Sequence, residues 1–506
     1  MLGAQSTMVH IRPPRPVKGL NDWVYCDKMK EIEVQGQRSM KETLESDQLS
    51  EWYNKVIKEA GLVDQGLARG TIVLRPYGFA LWKGIQSYLG NSIQEKGVED
   101  AYFPAIVPEK FLTKEKEHIK GFAPEFLRVQ GRGGIIGVLR PTSEAVMYPL
   151  FSKWIKSYKD LPLKINQWCN IFRDELRTYA FMRTSEFLWQ EGHCAFANSE
   201  ENEEAVMDYL EMYKDTFEKL LAVSPVFGKK SEKEKFAGAF YTTTGEAMMP
   251  NGKALQVCTS HNLGTNFSKA YDIQYLDKDG KRKYVYQTSW GFSWRAIGAM
   301  ILTHGDKKGL ILPPNIAPIQ IVVIPIRDGK ADVEKSAKDI KDRLNSFRVK
   351  VDLTDDRPGQ LYYKNELKGI PLRIEIGPRD LVNDQVILVD RLTGEKENVS
   401  NDDLKEKVTE KLDLIQRGLL ERSKKLVEDN THDVDSWQEF TQLLKGEQGF
   451  LRTYHCGDRK CEELIQEETK ATLRCIPYGY EQTEGICIKC GKKSIYGQKV
   501  LFAKAY

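Results

Sequence analysis

The sequence predicts an α+β protein of several domains: an antiparallel sheet with helices, a small α/β domain and a cysteine-rich C-terminal module. Between residues 100 and 290, strand-like runs follow one another with few helices, which favours antiparallel pairing because parallel strands need long crossovers. The Pro-rich segment 310–318 indicates a domain boundary, and strands alternate with helices beyond it. At 506 residues the chain is also too long for one hydrophobic core.

Composition indicates a water-soluble protein, with 41% apolar and 29% charged residues and a net charge of +3. No apolar run approaches the roughly 18 residues of a membrane helix, and the N-terminus lacks the apolar core of a secretory signal. We therefore expect a cytoplasmic protein with no membrane association and with reduced cysteines. No G-x-x-x-x-G-K-[ST] motif occurs, so any phosphate binding would depend on arginines that project from a sheet.

In the first domain, Leu49, Trp52 and Val56 form an apolar stripe that predicts a helix over 48–60. The other predicted helices are 78–97, 142–157, 200–222 and 293–303. The predicted strands are 100–107, 134–140, 164–175, 183–196, 255–258, 269–276 and 284–290. The run GRGGIIG at 131–137 is predicted to be a hairpin turn, because no helix follows it.

The second region has a different pattern. The apolar run IQIVVIPI predicts a buried strand, and Val333, Ala337 and Ile340 repeat at helical spacing after it. Strands are predicted at 349–353, 372–376 and 385–389, and a long helix at 402–428. Because strands alternate with helices, we expect a small, largely parallel α/β domain.

Cysteines of the C-terminal module are arranged in two close pairs. Cys456 and Cys461 form a C-x4-C pair, and Cys487 and Cys490 form a C-x2-C pair. Two such pairs in a reducing compartment predict a structural zinc site with four thiolate ligands, against the alternatives of disulfides or unligated thiols. His455 is the one plausible substitute ligand.

The stretch IFRDELRTYAFMRTSEFLWQEGH, residues 171–193, combines charged and large apolar side chains. At a period of two it aligns Phe187, Trp189, Glu191 and His193 on one face of a strand, together with the preceding Arg183 and Ser185. Residues 176–182 are then the predicted hairpin loop. A face that mixes ions with aromatics indicates the floor of a site, although an exposed amphipathic hairpin is the alternative.

Several motifs resemble those of class II aminoacyl-tRNA synthetases. IFRDE at 171–175 resembles motif 2, SWGFSWRAIGAMI at 289–301 resembles motif 3, and the helix ending in AYFP at 101–104 resembles motif 1. RPTSE at 140–144, RTSEFLWQEGH at 183–193, EKEKFAGA at 232–239, TSHNLGTNFSKAYDI at 259–273 and ELKGIPLRIEIGPRDL at 366–381 are together similar to the prolyl-tRNA synthetase family, in its archaeal and eukaryotic type.

This resemblance covers roughly residues 20–506 and implies a proline–tRNA ligase. Together with the composition of the N-terminus and the Pro-rich boundary, it predicts a flexible tail (1–20), a class II catalytic domain (21–310), an anticodon-binding α/β domain (311–410) and a C-terminal α/β zinc-binding domain (411–506). It also implies ATP with Mg²⁺ as substrate, L-proline and tRNA(Pro) as the other substrates, structural Zn²⁺, and a homodimer formed through motif 1.

The resemblance assigns roles residue by residue, with Arg173 and Arg295 as the catalytic pair. The residues implied to bind ATP are Arg173, Glu175, Arg183, Thr184, Phe187, Gln256, Thr259, Ser293 and Arg295. The residues implied to bind proline are Thr142, Glu144, Arg173, Trp189, Glu191, His193, His261, Gly291 and Ser293. The residues implied to read the anticodon are Glu366, Arg373, Arg379, Asp380 and Lys396.

Some positions depart from the pattern of the family. Trp294 precedes the motif 3 arginine where a small residue is usual, and Val257 and Cys258 stand where glycine or alanine is usual. These positions leave the shape of the ATP site open. The alternatives for function are a class II synthetase for threonine, histidine or glycine, and a catalytically inactive paralogue that binds RNA.

Overall fold

The computed structural model describes residues 46–108, 110–111, 127–327 and 332–506. The predicted tail 1–20 and the first part of the predicted catalytic domain lie outside the described residues. Within the described ranges no helix combines the length and the apolar content that crossing a membrane requires.

The first region contains a large sheet and helices on its faces. Its helices are α1 (Ser46–Glu59), α2 (Pro76–Glu95), α3 (Glu144–Trp154), α4 (Ser199–Asp215), α5 (Asn266–Ala270) and α6 (Arg295–His304). Its strands are β1 (Val63–Gln65), β2 (Ile72–Leu74), β3 (Glu99–Asp100), β4 (Ile106–Val107), β5 (Arg128–Gly131), β6 (Gly134–Leu139), β7 (Leu163–Phe172), β8 (Glu186–Phe196), β9 (Val226–Lys229), β10 (Tyr241–Met248), β11 (Ala254–Gly264), β12 (Gln274–Leu276), β13 (Arg282–Tyr284) and β14 (Tyr286–Ser293).

The second and third regions follow along the chain. The second contains β15 (Ile321–Pro325), α7 (Val333–Arg343), β16 (Val349–Val351), α8 (Pro358–Leu367), β17 (Leu372–Ile376), α9 (Pro378–Val382), β18 (Gln385–Asp390) and β19 (Lys396–Ser400). Helix α10 (Leu404–Asp429) leads into the third, which contains β20 (Thr431–Asp433), α11 (Trp437–Lys445), β21 (Phe450–Thr453), α12 (Arg459–Thr469), β22 (Ala471–Pro477) and β23 (Val500–Lys504).

The central sheet is antiparallel as predicted, but it is larger than the sequence indicated. Its strand order is β20-β21-β23-β22-β9-β10-β11-β14-β8-β7-β3, and its pairs are antiparallel except at the two edges, β20–β21 and β3–β7. The C-terminal module therefore extends the sheet of the first region. Strands β22 and β9 join at Pro477 and Gly228, where a Cβ on the glycine would lie 2.2 Å from the Ile476 carbonyl oxygen.

The second region has a mixed sheet, so the prediction of a largely parallel domain was wrong. Strands β16, β15 and β17 are parallel, whereas β17–β18 and β18–β19 are antiparallel. The segment between β17 and β18 holds only the short α9, which is too short for a crossover to the same edge. Strand β19 had no counterpart among the predicted strands.

Two further predictions in the first region were wrong. The expected strand 100–107 is interrupted between β3 and β4, where Pro104 cannot donate to a ladder; the motif 1 helix itself ends earlier, at Glu95. The first two residues of the expected strand 269–276 belong to α5, and the strand β12 begins only at Gln274. Phe267 and Tyr271, four residues apart, both pack edge-on against Tyr148, and this helical spacing overrides the strand-like composition.

Candidate active site

A cleft of about 310 Å³ opens over the central sheet, within the size range of small-molecule sites. Strands β8, β11 and β14 form its floor, and the segment between β7 and β8 and the start of α6 form its rim. The lining residues are Thr142, Glu144, Arg173, Phe187, Trp189, Glu191, His193, Lys230, Glu234, Phe236, Thr242, Gln256, Val257, Cys258, Thr259, His261, Ser289, Trp290, Gly291, Phe292, Ser293 and Arg295.

Strand β8 presents the face that its alternation predicted. Phe187, Trp189, Glu191 and His193 all line the cleft, because alternate residues of a strand point to the same side. The intervening Gly192 leaves room on the opposite face for the Trp290 ring, whose atoms lie 2.0 Å from where a Cβ would stand. The mixed composition of this strand therefore reflects a site and not an exposed hairpin.

The loop between β7 and β8 is longer than the predicted 176–182, because β7 ends at Phe172 and β8 begins at Glu186. Buried side chains hold this loop: Phe181 has a positive φ of 62° and is 1% exposed. Its ring meets that of Trp294 edge-on at 5.8 Å. Trp294 thus packs outside the cleft, which explains how the large residue fits beside the motif 3 arginine.

Arginines converge on the rim of the cleft. Arg173 lies 5.2 Å from the centre of the Phe187 ring, and its Nε donates to the Pro141 carbonyl at 3.2 Å. Arg295 donates to the carbonyls of Met182 at 3.0 Å and Gln256 at 3.1 Å. Burial, and then the neighbouring guanidinium groups of Arg173 and Arg183, lower the pKa of Arg295 to about 10. Cations that repel one another in a cleft form a binding site for an anion.

Carboxylates line the cleft near Arg173: burial lowers the pKa of Arg173, and the charges of Glu144 and Glu191 oppose this lowering. Glu144 is 4% exposed and accepts a hydrogen bond from the Thr142 hydroxyl. Glu191 accepts from Gln167 at 2.9 Å and from Ser143, and it pairs with His193 Nε2 at 3.2 Å. Burial alone would raise the pKa of Glu191, but these hydrogen bonds hold it below its usual range. The site therefore places negative charge beside the aromatic wall of Trp189.

The two histidines of the cleft differ in charge. Burial opposes protonation of His193, but the hydrogen bond to Glu191 and the charges of Glu144 and Glu191 raise its pKa. Burial and the proximity of His193 lower the pKa of His261 to about 3, and its Nδ1 lies 2.9 Å from the Thr242 hydroxyl. His261 is therefore neutral near pH 7 and rests against the Phe236 ring at 4.8 Å.

Most of the residues assigned to proline and ATP line this cleft, but three of those assigned to ATP do not. Glu175 and Arg183 form an ion pair of 3.1 Å in the loop beside the cleft. Thr184 is buried, and its hydroxyl has no hydrogen-bond partner among the described residues.

Sequence reasoning missed several lining residues, chiefly Lys230, Glu234, Phe236, Thr242 and Ser289. The motif EKEKFAGA contains two of them, so the resemblance carried a signal. Lys230 could not be predicted from strand alternation, because it lies just beyond the end of β9. Its ammonium pairs with the buried Glu246 at 2.6 Å.

In the α/β domain, charged residues assigned to the anticodon form a ladder of ion pairs. Arg373 donates to Glu366 at 3.0 Å and to Glu375 at 2.9 Å, and Lys396 approaches Glu375 at 3.3 Å. The Tyr362 ring lies 4.2 Å from the Arg373 guanidinium carbon. The two remaining assigned residues, Arg379 and Asp380, lie on α9. Asp380 accepts a hydrogen bond from the Gly377 backbone at 2.8 Å.

The C-terminal cysteines converge as their spacing predicted. The Sγ atoms of Cys461 and Cys487 are 3.7 Å apart, and those of Cys490 and Cys456 are 3.5 Å apart. These cysteines are free thiols. Tetrahedral zinc with Zn–S bonds of about 2.3 Å separates its sulfur ligands by about 3.8 Å, so the thiols fit the ion. The ligand atoms of His455, Cys456, Cys461 and Cys487 all lie within 4.8 Å of one another, whereas Cys490, an exposed residue, is outside this group. The buried Nε2 of His455 has no hydrogen-bond partner among the described residues.

Three family models match successive parts of the chain. The model described as tRNA synthetase class II core domain (G, H, P, S and T) matches residues 136–304. The anticodon binding domain model matches residues 320–411, and the model described as Prolyl-tRNA synthetase, C-terminal, matches residues 437–506.

Similar proteins match nearly the whole chain. A proline–tRNA ligase of Natranaerobius thermophilus is 46% identical over 473 residues, which are 92% of this chain and 98% of the relative. Proline–tRNA ligase 2 of Bacillus cereus is 42% identical over 91% of this chain and 97% of its own length. The crystal structure of prolyl-tRNA synthetase from Cryptosporidium parvum, complexed with halofuginone and AMPPNP, has a TM-score of 0.86 at 38% identity and covers 90% of this chain and 97% of its own.

Proposed function

The chain belongs to the prolyl-tRNA synthetase family and is a proline–tRNA ligase; from that premise we propose how its residues divide the work of the reaction. The enzyme joins L-proline to tRNA(Pro) at the expense of ATP, through a prolyl-adenylate. Synthetases for threonine, histidine or glycine share the core model, but the relatives and the C-terminal model are those of proline enzymes.

The observation that carries the proposal for ATP is the convergence of Arg173, Arg183 and Arg295. Burial and the guanidinium groups of Arg173 and Arg183 lower the pKa of Arg295, and a polyphosphate bound among these groups would compensate their charge. We assign Arg173 to the α-phosphate and Arg295 to the γ-phosphate. Arg183, which pairs with Glu175 at 3.1 Å, would leave that ion pair and bind the γ-phosphate as well. Magnesium accompanies ATP as part of this substrate.

The chemistry of the first step explains why the arginines matter. A carboxylate oxygen of proline attacks the α-phosphorus, the bond to the bridging oxygen breaks, and pyrophosphate leaves with its electron pair. Two anions meet in this step, and negative charge accumulates on the α-phosphate oxygens. Arg173 stabilises that charge from a fixed position, since its side chain is already held by Pro141 and by the Phe187 ring.

For the adenine, we propose the flat face of Phe187, with Glu175, Thr184, Gln256 and Thr259 supplying polar contacts. Phe187 lines the cleft next to Arg173, and the Thr184 hydroxyl is buried without a hydrogen-bond partner in the described part of the chain. A free hydroxyl in that position gains a hydrogen bond when a ligand binds.

For proline, we propose that Glu144 and Thr142 accept the two protons of the secondary ammonium. Trp189 forms the wall for the ring, and Gly291 and Ser293 close the pocket. Glu191, which pairs with His193 at 3.2 Å, supports this wall through Cys169, whose Sγ donates to Glu191 at 3.6 Å and accepts from Trp189 Nε1 at 3.2 Å. Neutral His261 offers no competing cation. The charge of the pocket therefore complements an amino acid whose ammonium must be desolvated.

The direct test is pyrophosphate exchange into ATP, measured with each of the twenty amino acids. We expect proline to support the fastest exchange, because the pocket combines a small aromatic wall with acceptors for the ammonium. Faster exchange with threonine, histidine or glycine would contradict the assignment of the pocket. The absence of exchange with every amino acid would favour the catalytically inactive RNA-binding paralogue.

For the anticodon, we propose that Glu366, Arg373, Arg379, Asp380 and Lys396 contact the two guanines of a proline anticodon. Arginine pairs with the O6 and N7 atoms of guanine, and a carboxylate accepts from its amino group. The ion-pair ladder supports this reading, since it holds donors and acceptors side by side, from the buried Arg373 and Glu375 to the exposed Lys396.

For the C-terminal module, we propose one structural zinc held by Cys456, Cys461, Cys487 and Cys490. The ion would cross-link segments whose thiols already converge, and four protein ligands leave no position for a substrate. Elemental analysis of protein purified under reducing conditions without chelator should find about one zinc per chain. His455→Ala should retain it if the four thiols suffice, whereas its loss would show that the histidine is the fourth ligand.

We propose a cytoplasmic homodimer that uses the surface around motif 1. Several large apolar side chains on the motif 1 helix and on the strands and segment after it are exposed: Phe79, Tyr102, Ile106, Ile135 and Ile136. Exposed apolar surface of this extent is typical of a protein interface. Sedimentation should give about twice the chain mass of 58.0 kDa, and a monomer at micromolar concentration would contradict the proposal. The free thiols are consistent with a reducing compartment.

A further inference from the structure

An ion pair joins the catalytic domain to the anticodon-binding domain at the end of α6. The Nη1 and Nη2 atoms of Arg391 donate to Asp306 Oδ2 at 2.9 Å and Oδ1 at 2.6 Å. The Arg391 side chain is 4% exposed and that of Asp306 is 33% exposed. Bidentate geometry of this kind fixes the relative orientation of the two groups as well as their distance.

Both partners are held in position by their own domains. The Asp306 carbonyl accepts from Trp52 Nε1 at 2.9 Å, and its Oδ1 also accepts from the backbone of Lys308 at 2.9 Å. On the other side, the Arg391 backbone donates to the Pro371 carbonyl at 3.0 Å. The ion pair therefore joins two groups that are each held by hydrogen bonds within their own domain.

The same arginine also holds the residue at the head of the ion-pair ladder. Arg391 Nε donates to the Glu366 carbonyl at 3.1 Å, and the Glu366 carboxylate pairs with Arg373 at 3.0 Å. One guanidinium thus binds the catalytic domain through Asp306 and the backbone of a proposed anticodon contact through Glu366.

Other contacts at this junction do not depend on the ion pair. Leu310 donates its backbone N–H to Leu367 at 3.0 Å, and Leu312 donates to Gly369 at 3.1 Å. Helix α6 is positioned by its own core packing, since every residue after Arg295 is buried. Loss of the ion pair should therefore leave both domains folded and the ATP end of α6 in place.

We propose that Asp306 and Arg391 are positioning residues that align the anticodon-binding domain, and Glu366 with it, against the catalytic domain. This inference rests on the proposed role of Glu366 and Arg373 in reading the anticodon. It extends that role to a pair of residues that touch neither ATP nor proline, and it assigns them to the accuracy of tRNA charging and not to adenylate formation.

The experiment compares Asp306→Asn, Arg391→Met and the matched control Arg327→Met. Arg327 pairs with Glu334 at 2.7 Å within the anticodon-binding domain and is partly exposed, so its loss removes an ion pair without touching the junction. Each enzyme is assayed for kcat/KM with two tRNA transcripts, one with the proline anticodon and one with an anticodon guanine replaced. Pyrophosphate exchange and thermal unfolding are measured in parallel.

We expect Asp306→Asn and Arg391→Met each to reduce the discrimination between the two transcripts by about tenfold, with pyrophosphate exchange within about twofold of the wild type. The double variant should be no worse than Arg391→Met alone, since both changes break one contact. Arg327→Met should keep the wild-type discrimination. A purely structural role would lower the unfolding temperature without changing the ratio.

The outcomes separate the inference from its premise. If the wild type does not discriminate between the transcripts, anticodon reading by this domain is contradicted, and the inference fails with it. If the wild type discriminates and both variants do too, the inference alone fails. Loss of discrimination in Arg391→Met but not in Asp306→Asn would also overturn it, because the effect would then come from Glu366 locally and not from the alignment of domains.

Discussion

The cleft over the central sheet and the ion-pair ladder of the α/β domain both depend on arginines, but they hold them differently. In the cleft, Arg173 and Arg295 donate mainly to backbone carbonyls. In the ladder, Arg373 is bound by the carboxylates of both Glu366 and Glu375. The arginines of the cleft are therefore held mainly by neutral carbonyls, whereas Arg373 of the ladder is held by carboxylates.

This difference matches the ligands proposed for the two regions. A triphosphate carries several negative charges, so a site for it must keep its cations uncompensated. A guanine is neutral and offers acceptors and a donor, so paired charges of both signs suit it better. Removing one arginine should consequently have unequal effects in the two regions.

The largest effect is expected for Arg173→Ala, which should lower proline-dependent pyrophosphate exchange by at least about 10². The reason is that the charge developing on the α-phosphate loses its nearest fixed cation. Arg177→Ala is the control, because Arg177 is exposed in the same loop and does not line the cleft. Near-normal exchange by a folded Arg173→Ala enzyme would remove the distinction between the two regions.

The next effect is expected at Glu144, one of the carboxylates that line the cleft. Glu144→Gln should raise the KM for proline by about 10–100-fold and leave the KM for ATP nearly unchanged, because a charged acceptor for the ammonium is lost. Glu186→Gln, at the start of β8 and outside the cleft, is the matched control. A rise in the KM for ATP alone would place the ammonium elsewhere.

In the ladder, Arg373→Met should lower kcat/KM for tRNA by about tenfold and leave pyrophosphate exchange unchanged. The variant also leaves Glu366 and Glu375 with fewer partners, so a lower unfolding temperature is expected as well. Lys350→Met, which removes an exposed charge 3.8 Å from Asp352 in the same domain, provides the comparison. Reduced exchange in Arg373→Met would mean that the two regions are not functionally separate.

The smallest effect is expected from deleting Ala505 and Tyr506. The Tyr506 backbone donates to Ala254 at 3.0 Å, and its ring lies 6.0 Å from Tyr179 in the loop between β7 and β8. The deletion should loosen that loop and lower exchange and aminoacylation several-fold, while tRNA binding through the anticodon persists. Tyr506→Phe keeps the ring and should behave almost like the wild type; unchanged activity after the deletion would show that the loop does not need this support.

The cleft face of β8 and the cysteine cluster could be predicted because both depend on short sequence spacings: strand alternation in the first case, and paired cysteines in the second. Alternation placed Phe187, Trp189, Glu191 and His193 on one face, and cysteine spacing predicted that Cys456, Cys461, Cys487 and Cys490 would converge. The antiparallel character of the central sheet followed in the same way from the scarcity of crossover helices.

Other features could not be predicted, because they depend on which surfaces meet. Lys230 reaches the cleft only because Glu246, a residue of the neighbouring strand, pairs with it, and Glu246 also binds Arg474 of the C-terminal module at 2.7 Å. Asp306 and Arg391 are far apart in sequence and belong to different predicted domains. Neither the Lys230–Glu246 pair nor the Asp306–Arg391 pair is indicated by a motif or a periodic pattern in the sequence around it.

The sequence by itself determined the antiparallel character of the central sheet, the face of β8 that carries the site and the residues available for its chemistry. Tertiary structure alone decided the length of the loop between β7 and β8, the joining of the C-terminal strands to the central sheet, and the pairing of Asp306 with Arg391. The physical reason is that backbone periodicity fixes the direction of a side chain relative to its own element. Its partner is fixed by the packing of distant elements, which no short stretch of sequence contains.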